Sequence, residues 1–198
     1  MSNINYNDCS NILNYSIDIQ QKYAYKFAEG SEDLYNLLLT LWNKNIYTLG
    51  CCSGHKDNDN AYFSYMLTNE EGRILASYII SLINEYSDLD LKCYILGPHP
   101  KTGYLDFSFR FPKRKTKLII TKLLNFLDNI DYSLGNNLEL FCAFEILLSK
   151  KFKYFTIEID GIDNKTITVV DDNMDSSKHK YILNEVSSTR LVSETKIK

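Results

Sequence analysis

Apolar positions along this chain alternate between two spacings. Leu34, Leu37, Leu38, Leu41 and Trp42 recur at helical spacing. Gly30-Ser31-Glu32-Asp33 precedes them, with Ser31 as a predicted N-cap and two acids in the first turn. Asn43-Lys44-Asn45 ends that helix, and Ile46 to Leu49 reads as a short strand running into a loop. After a polar turn from Lys56 to Asn60, Ala61 to Met66 reads as the next strand. Thr68 is the expected cap of a second helix, whose inward face is Ile74, Leu75, Tyr78, Ile79, Leu82 and Ile83. Leu89 to Leu96 reads as a third strand, followed by the turn-rich stretch Gly97 to Gly103. From Tyr104 to Phe111 the period is two: Leu105, Phe107, Phe109 and Phe111 oppose Asp106, Ser108 and Arg110, the mark of a half-buried strand. A third helix follows Pro112, with Leu118, Ile119, Leu123, Leu124 and Leu127 inward.

This order, α-β-β-α-β-β-α, predicts an α+β fold with helices packed on a mostly antiparallel sheet. The core domain is expected over residues 17–134, after a loosely ordered N-terminus over 1–16. Residues 135–192 are expected to add a helix from about Leu138 to Lys151, a hairpin joining Phe155–Ile159 to Thr166–Val170, and a strand at Tyr181 to Leu183. The tail over 193–198 is expected to fray. The apolar stretch around Ile17, Ile19 and Tyr23 to Phe27 fits a strand or a short helix.

The 198 residues fit one domain, large enough to bury a core without staples. A net charge of -3 rules out a whole-protein basic footprint, so any phosphate binding must come from a local patch. Five cysteines, no apolar leader and no run of membrane-spanning length point to free thiols in a reducing cytoplasm and to no membrane partner. Abundant Asn, Ile, Lys and Tyr fit an AT-rich genome, such as that of a low-GC bacterium or its phage.

Chemistry concentrates in Gly50-Cys51-Cys52-Ser53-Gly54-His55, at the end of a predicted strand. Adjacent strand residues face opposite ways, so one cysteine of the pair is expected to point inward and the other outward. Cys52 and His55 are the expected catalytic pair: Cys52 as nucleophile or ligand contact, His55 as acid, base or phosphate donor. Gly50, Ser53 and Gly54 are expected to bring backbone close to a ligand. Cys52 and His55 also have a two-ligand metal spacing, with Cys51, Cys93, His99 or Asp57 as further donors. No second Cys-x-x-Cys or His-x-x-x-His accompanies them, so no metal site is assigned. The alternative for the whole string is a structural turn.

The second cluster is Arg110, Lys113, Arg114, Lys115 and Lys117, where the Phe-rich strand hands over to the third helix. Cations at a helix start run against the usual preference, and a phosphate or an acidic partner would offset them. Together with the Cys-Cys loop they suggest a site for a phosphate-bearing ligand, a nucleotide or RNA. The other function class that fits is a protein-binding module without catalysis, such as a phage-encoded inhibitor of host defence. No cofactor can be named from the residues.

Phe27-Ala28-Glu29-Gly30, Leu37 to Trp42, Thr48 to His55 and Ala61 to Ser64 together resemble a family of small Cys-Cys-x-Gly-His proteins from low-GC bacteria and their phages. That resemblance spans residues 23–65 and implies kinship without implying an activity. Thr48, Cys52, Ser53 and Gly54 are also similar to the wybutosine-synthesis methyltransferase family, which modifies a guanosine of phenylalanine tRNA using S-adenosylmethionine. Gly50 and Cys51 stand where that family has serines, His55 stands where it has arginine, and its later motifs have no counterpart here.

Overall fold

The computed structural model describes residues 12–56, 59–97, 104–130, 155–159, 166–171, 178–182 and 193–196, and the backbone alone from residue 155 onward. It is an α+β fold: the described residues form four α-helices and an antiparallel sheet of eight strands in the order β1-β2-β4-β3-β5-β6-β7-β8. The elements in chain order are α1 (Ile17–Phe27), α2 (Glu32–Asn43), β1 (Thr48–Cys52), β2 (Asn60–Met66), α3 (Glu70–Glu85), β3 (Lys92–Gly97), β4 (Asp106–Pro112) and α4 (Thr116–Asp128). β5 (Phe155–Ile159), β6 (Thr166–Asp171), β7 (Lys178–Ile182) and β8 (Ser193–Lys196) complete the sheet beyond β3. No helix among the described residues is long and apolar enough to cross a membrane.

Period-two alternation gives the sheet its two faces. Ala61, Phe63 and Tyr65 of β2, Phe107, Phe109 and Phe111 of β4, and Cys93 and Ile95 of β3 are fully buried. They meet Leu34, Leu37, Leu38 and Leu41 of α2, Ile74, Leu75, Ile79 and Leu82 of α3, and Ile119, Ile120, Leu123 and Leu127 of α4 in one core. Each of the Leu, Ile and Phe side chains among them contributes roughly 1.5–3 kcal/mol by leaving water. Edge-on and tilted ring contacts link Phe63 to Phe109 and Tyr65 to Phe107, and Tyr78 of α3 stacks on Phe126 of α4 at 4.0 Å between centroids. The alternate residues Tyr62, Ser64, Tyr94, Ser108 and Arg110 face away from this core and keep partial or full exposure.

β1 joins this sheet through a bulge. Thr48 lies opposite Tyr65 of β2, but Gly50 lies opposite Ser64, Cys51 opposite Phe63 and Cys52 opposite Tyr62. Leu49 is therefore the extra residue, and after it the strand presents its opposite face. Thr48 is fixed from the helical layer: the Trp42 indole N–H donates to its Oγ1 at 2.8 Å in a buried contact.

Several boundaries differ from those the sequence predicts. Of the two readings of the stretch around Tyr23 to Phe27, strand or short helix, the helix is the one formed, as α1 with Ala24 in the core. Residues 12–15, expected to be loose, are tied down: Ile12 is buried and its carbonyl accepts from the Gln20 side chain at 3.0 Å. Ser31 caps α2 as expected, accepting from the Leu34 N–H, but α3 is capped by Asn69, not Thr68; the Asn69 carboxamide accepts from the Gly72 N–H at 3.0 Å. The same carboxamide donates to the Lys44 and Asn45 carbonyls, which orients it where a threonine would not reach. The residues from Ser193, expected to fray, pair with β7 as β8. The hairpin of β5 and β6 is present. The expected helix over 138–151 and the turn containing His99 lie outside the described residues.

Two groups in the core must stay neutral. Burial pushes the Cys93 thiol far above its usual 9.0 and the Tyr65 phenol well above its usual 10.0. The unfolded chain releases these protons at lower pH than the folded one. Stability is therefore fully present below the ordinary thiol value and falls as pH rises past it, by about 1.4 kcal/mol per pH unit for each such group. Urea denaturation from pH 8 to about 10.5 is expected to show this decline, and Cys93→Val to make it shallower by about one group's share. An unchanged slope in that variant would refute the assignment.

Candidate functional site

The Cys-Cys string does not sit in a loop; Cys51 and Cys52 are the last two residues of β1. The bulge decides their roles. Cys51 takes the inner face opposite Phe63, and its Sγ donates to the Phe27 carbonyl at 3.1 Å at the end of α1. It lines a small apolar crevice with Phe27, Leu38 and Leu49. Cys52 takes the outer face beside Tyr62, half-buried.

After Cys52 the chain reverses through Ser53 and Gly54. Gly54 has φ +79°, a conformation that favours glycine, and an added Cβ would meet the Lys113 side chain at 3.3 Å and Asp59 at 3.4 Å. Asp59 then closes the loop. Its Oδ2 accepts from the backbone N–H groups of His55 at 3.0 Å and Lys56 at 2.7 Å, and its carbonyl accepts from the Lys113 N–H at 3.1 Å. These bonds aim the exposed His55 ring back, so that its Nε2 lies 3.6 Å from Cys52 Sγ. The Gly54 N–H points at the same sulfur, 3.4 Å away.

A third residue arrives from the helical layer. Glu29 follows α1 with φ +52°, next to Gly30 at φ +83°, and this left-handed pair turns the chain toward the Ser31 cap of α2. The turn carries the Glu29 carboxylate to Ser53, whose N–H and Oγ donate to Oε2 at 3.3 and 3.4 Å. Donor atoms of Glu29, Cys52 and His55 all lie within 4.8 Å of one another. Glu29 and Asp59 are not legible as site residues in the sequence. A local signal for Glu29 is a charged residue directly before a glycine at a helix end.

The immediate setting of Cys52 opposes an activated thiolate. Partial burial is the largest influence raising its pKa, and the Glu29 carboxylate and Asp59 add to it, while the Gly54 N–H pulls the other way.

The expected basic cluster divides. Arg110 is an exposed residue of β4 directly opposite Tyr62, which is itself opposite Cys52. Two strand spacings, about 10 Å, therefore separate Arg110 from Cys52 on one face and at one end of the sheet. Burial, followed by the Cys52 and Cys51 thiols and Glu29, raises the Tyr62 phenol, and Arg110 lowers it. The Arg110 guanidinium lies over the Tyr94 ring, 5.0 Å from its centroid. Lys113, Arg114 and Lys115 form a 3-10 turn before α4 rather than its first turn, and Lys113 packs against Gly54. Arg114 is exposed, Lys115 is partly exposed, and Lys117 lies in the first turn of α4. The structure thus gathers Gly50, Cys52, Ser53, Gly54, His55, Arg110 and Lys113 at one corner of the sheet. Cys93 is buried under the opposite face, while His99 and Asp57 lie outside the described residues.

Gly54→Ala is expected to cost about 1–2 kcal/mol in thermal or urea denaturation, from its left-handed backbone and its closeness to Lys113. Alkylation of Cys52 by iodoacetamide in a Cys51→Ser background is expected to be slow at neutral pH and to accelerate in the alkaline range. Glu29→Gln is expected to move that pH–rate profile downward; a profile that stays in place would show that the carboxylate does not act on the thiol. Comparison with protein-family models, with curated proteins and with solved structures finds no match to this chain.

Proposed function

We propose that this protein binds a phosphate-bearing ligand of the nucleotide or single-stranded RNA class on the face of the sheet turned away from the helices, at the corner built around Cys52. The observation that carries this reading is the register row Cys52–Tyr62–Arg110–Lys92, which runs across β1, β2, β4 and β3. Such a row offers a π-face beside Arg110, with Lys92, ion-paired to Asp90 at 3.9 Å, one strand further on, the combination that accepts a base and its phosphate together. Arg110 on Tyr94 extends the platform into the next row, where Ser64 donates to the Gly50 carbonyl and Ser108 lies between Ser64 and Tyr94, and Lys113 stands at the rim. With a net charge of -3, the protein gains no help from its overall field, so affinity has to come from this patch. Binding rather than nucleophilic catalysis fits surroundings of Cys52 that raise its thiol above the usual range. The kinship with the Cys-Cys-x-Gly-His family, read from residues 23–65, belongs to this proposal too: Glu29, Cys52 and His55 all fall inside the resembling stretch.

A protein-binding module is the second reading. It is favoured by an open groove of about 510 Å³ lined by Asp18, Gln21, Lys22, Tyr25 and Tyr35, in which Tyr25 is 72% exposed. That groove lies on α1 and α2, away from the β4 residues, so the two readings separate by substitution.

Fluorescence anisotropy with a labelled single-stranded RNA, with nucleotide as competitor, tests the first reading. Arg110→Ala is expected to weaken binding about tenfold and to reduce the salt slope by about 0.7. Tyr62→Ala is expected to cost about 1–3 kcal/mol, largely restored in Tyr62→Phe. Tyr25→Ala is expected to change nothing. Absence of saturable binding at low salt, or binding indifferent to Arg110 and Tyr62, would overturn the proposal.

A further inference from the structure

We propose that Glu29, Cys52 and His55 form a three-ligand site for Zn²⁺, with the fourth position open to water. The inference goes beyond ligand binding on the sheet face and does not depend on it. The three donors are the carboxylate, thiolate and imidazole that zinc selects, and all lie within 4.8 Å of one another. The Cys52 Sγ to His55 Nε2 distance is 3.6 Å. Tetrahedral zinc, with bonds of about 2.3 Å to sulfur and 2.0–2.1 Å to nitrogen, sets that same edge at about 3.6 Å. The Cys–His edge is thus already at coordinating length, and only the exposed Glu29 carboxylate has to close in.

Each donor is held by neighbours that remain in place once a metal enters. Ser53 grips one oxygen of Glu29 through its N–H and its hydroxyl. The Gly54 N–H faces Cys52 Sγ, where it supports a thiolate. Asp59 fixes the backbone of His55 and Lys56, and so the direction in which the imidazole leaves the loop. This is the outer support that orients metal ligands in built sites. On binding, the Cys52 thiol proton passes to solvent and the S–Zn bond takes its place. Zinc stays divalent, and no electron changes hands. Glu29 and the Cys52 thiolate together balance the two charges of the ion. Glu29 and His55 are exposed, which leaves room for a water or a ligand oxygen at the fourth position.

The test uses the full chain, stripped of metal and titrated with Co²⁺ as a spectroscopic stand-in, in the absence of any nucleic acid. A sulfur-to-cobalt charge-transfer band is expected, with visible bands of tetrahedral cobalt, saturating at one equivalent and discharged by Zn²⁺. Cys52→Ser is expected to abolish the charge-transfer band. His55→Ala and Glu29→Gln, both at exposed positions, are expected to weaken binding at least about tenfold with an unchanged circular dichroism spectrum. Cys51→Ser and Cys93→Ser are expected to keep the band. A wild-type protein without the band, or a band that survives in Cys52→Ser, would overturn the site. Because the readout is metal absorption alone, its failure leaves the RNA-binding proposal standing, and the reverse holds too.

Discussion

The register of β1 against β2 is the constraint from which the rest of the site follows. In a sheet with one buried face, a shift of one residue exchanges every side chain between core and surface. Phe63 and Tyr65 are locked inward by the aromatic layer they share with Phe107 and Phe109, so β2 cannot move. Thr48 is locked inward by Trp42. Strict alternation from Thr48 would then bury Cys52 and expose Cys51. The extra residue at Leu49 reverses that outcome while leaving both anchors in place.

A second constraint acts on the loop. Asp59 holds the backbone of His55 and Lys56 on one side and that of Lys113 on the other. The loop is thereby tied to the end of β4, the strand that carries Arg110, and not only to the strands it connects. This explains how two short sequence clusters more than fifty positions apart come to share a corner of the sheet. Pairing of Asn60 with Pro112 sets the distance, and the 3-10 turn at Lys113 then packs on Gly54.

Much of this was legible in the residues themselves. The Phe107–Phe109–Phe111 alternation, the leucine spacing of α2 and the Ser31 cap each have one dominant local cause, and each stands in the fold as the pattern predicts. The same alternation, applied to adjacent cysteines, correctly separates an inward from an outward thiol. The failures have a common physical character. Asn69 displaces Thr68 as a cap because its carboxamide is also held by Lys44 and Asn45, twenty-five and twenty-four positions away. Glu29 reaches Cys52 only because β1 folds back beside the end of α1, a long-range fact with no periodic signature. The stretch around Tyr23 to Phe27 fits strand and short helix alike, because aromatic and apolar residues serve both, and the structure makes it α1. Ala24 and Gln20, which lock α1 down, carry no strong signal of their own.

The candidate site also straddles two layers. Glu29 comes from the helical layer, while Cys52 and His55 come from the sheet and its loop. Near the site, the hydrogen bonds across this seam include Ser53 on Glu29 and the Cys51 thiol on the Phe27 carbonyl, beside the buried Trp42–Thr48 bond and the apolar core that joins the two layers. Anything that bridges the three residues therefore acts as a clasp between layers, and its binding free energy is shared with their docking. By reciprocity, substitutions far from the site that loosen α1, such as at Ile12 or Gln20, would be felt at the site as lost affinity. The left-handed turn at Glu29 and Gly30 is where that coupling would pass from α1 to the site.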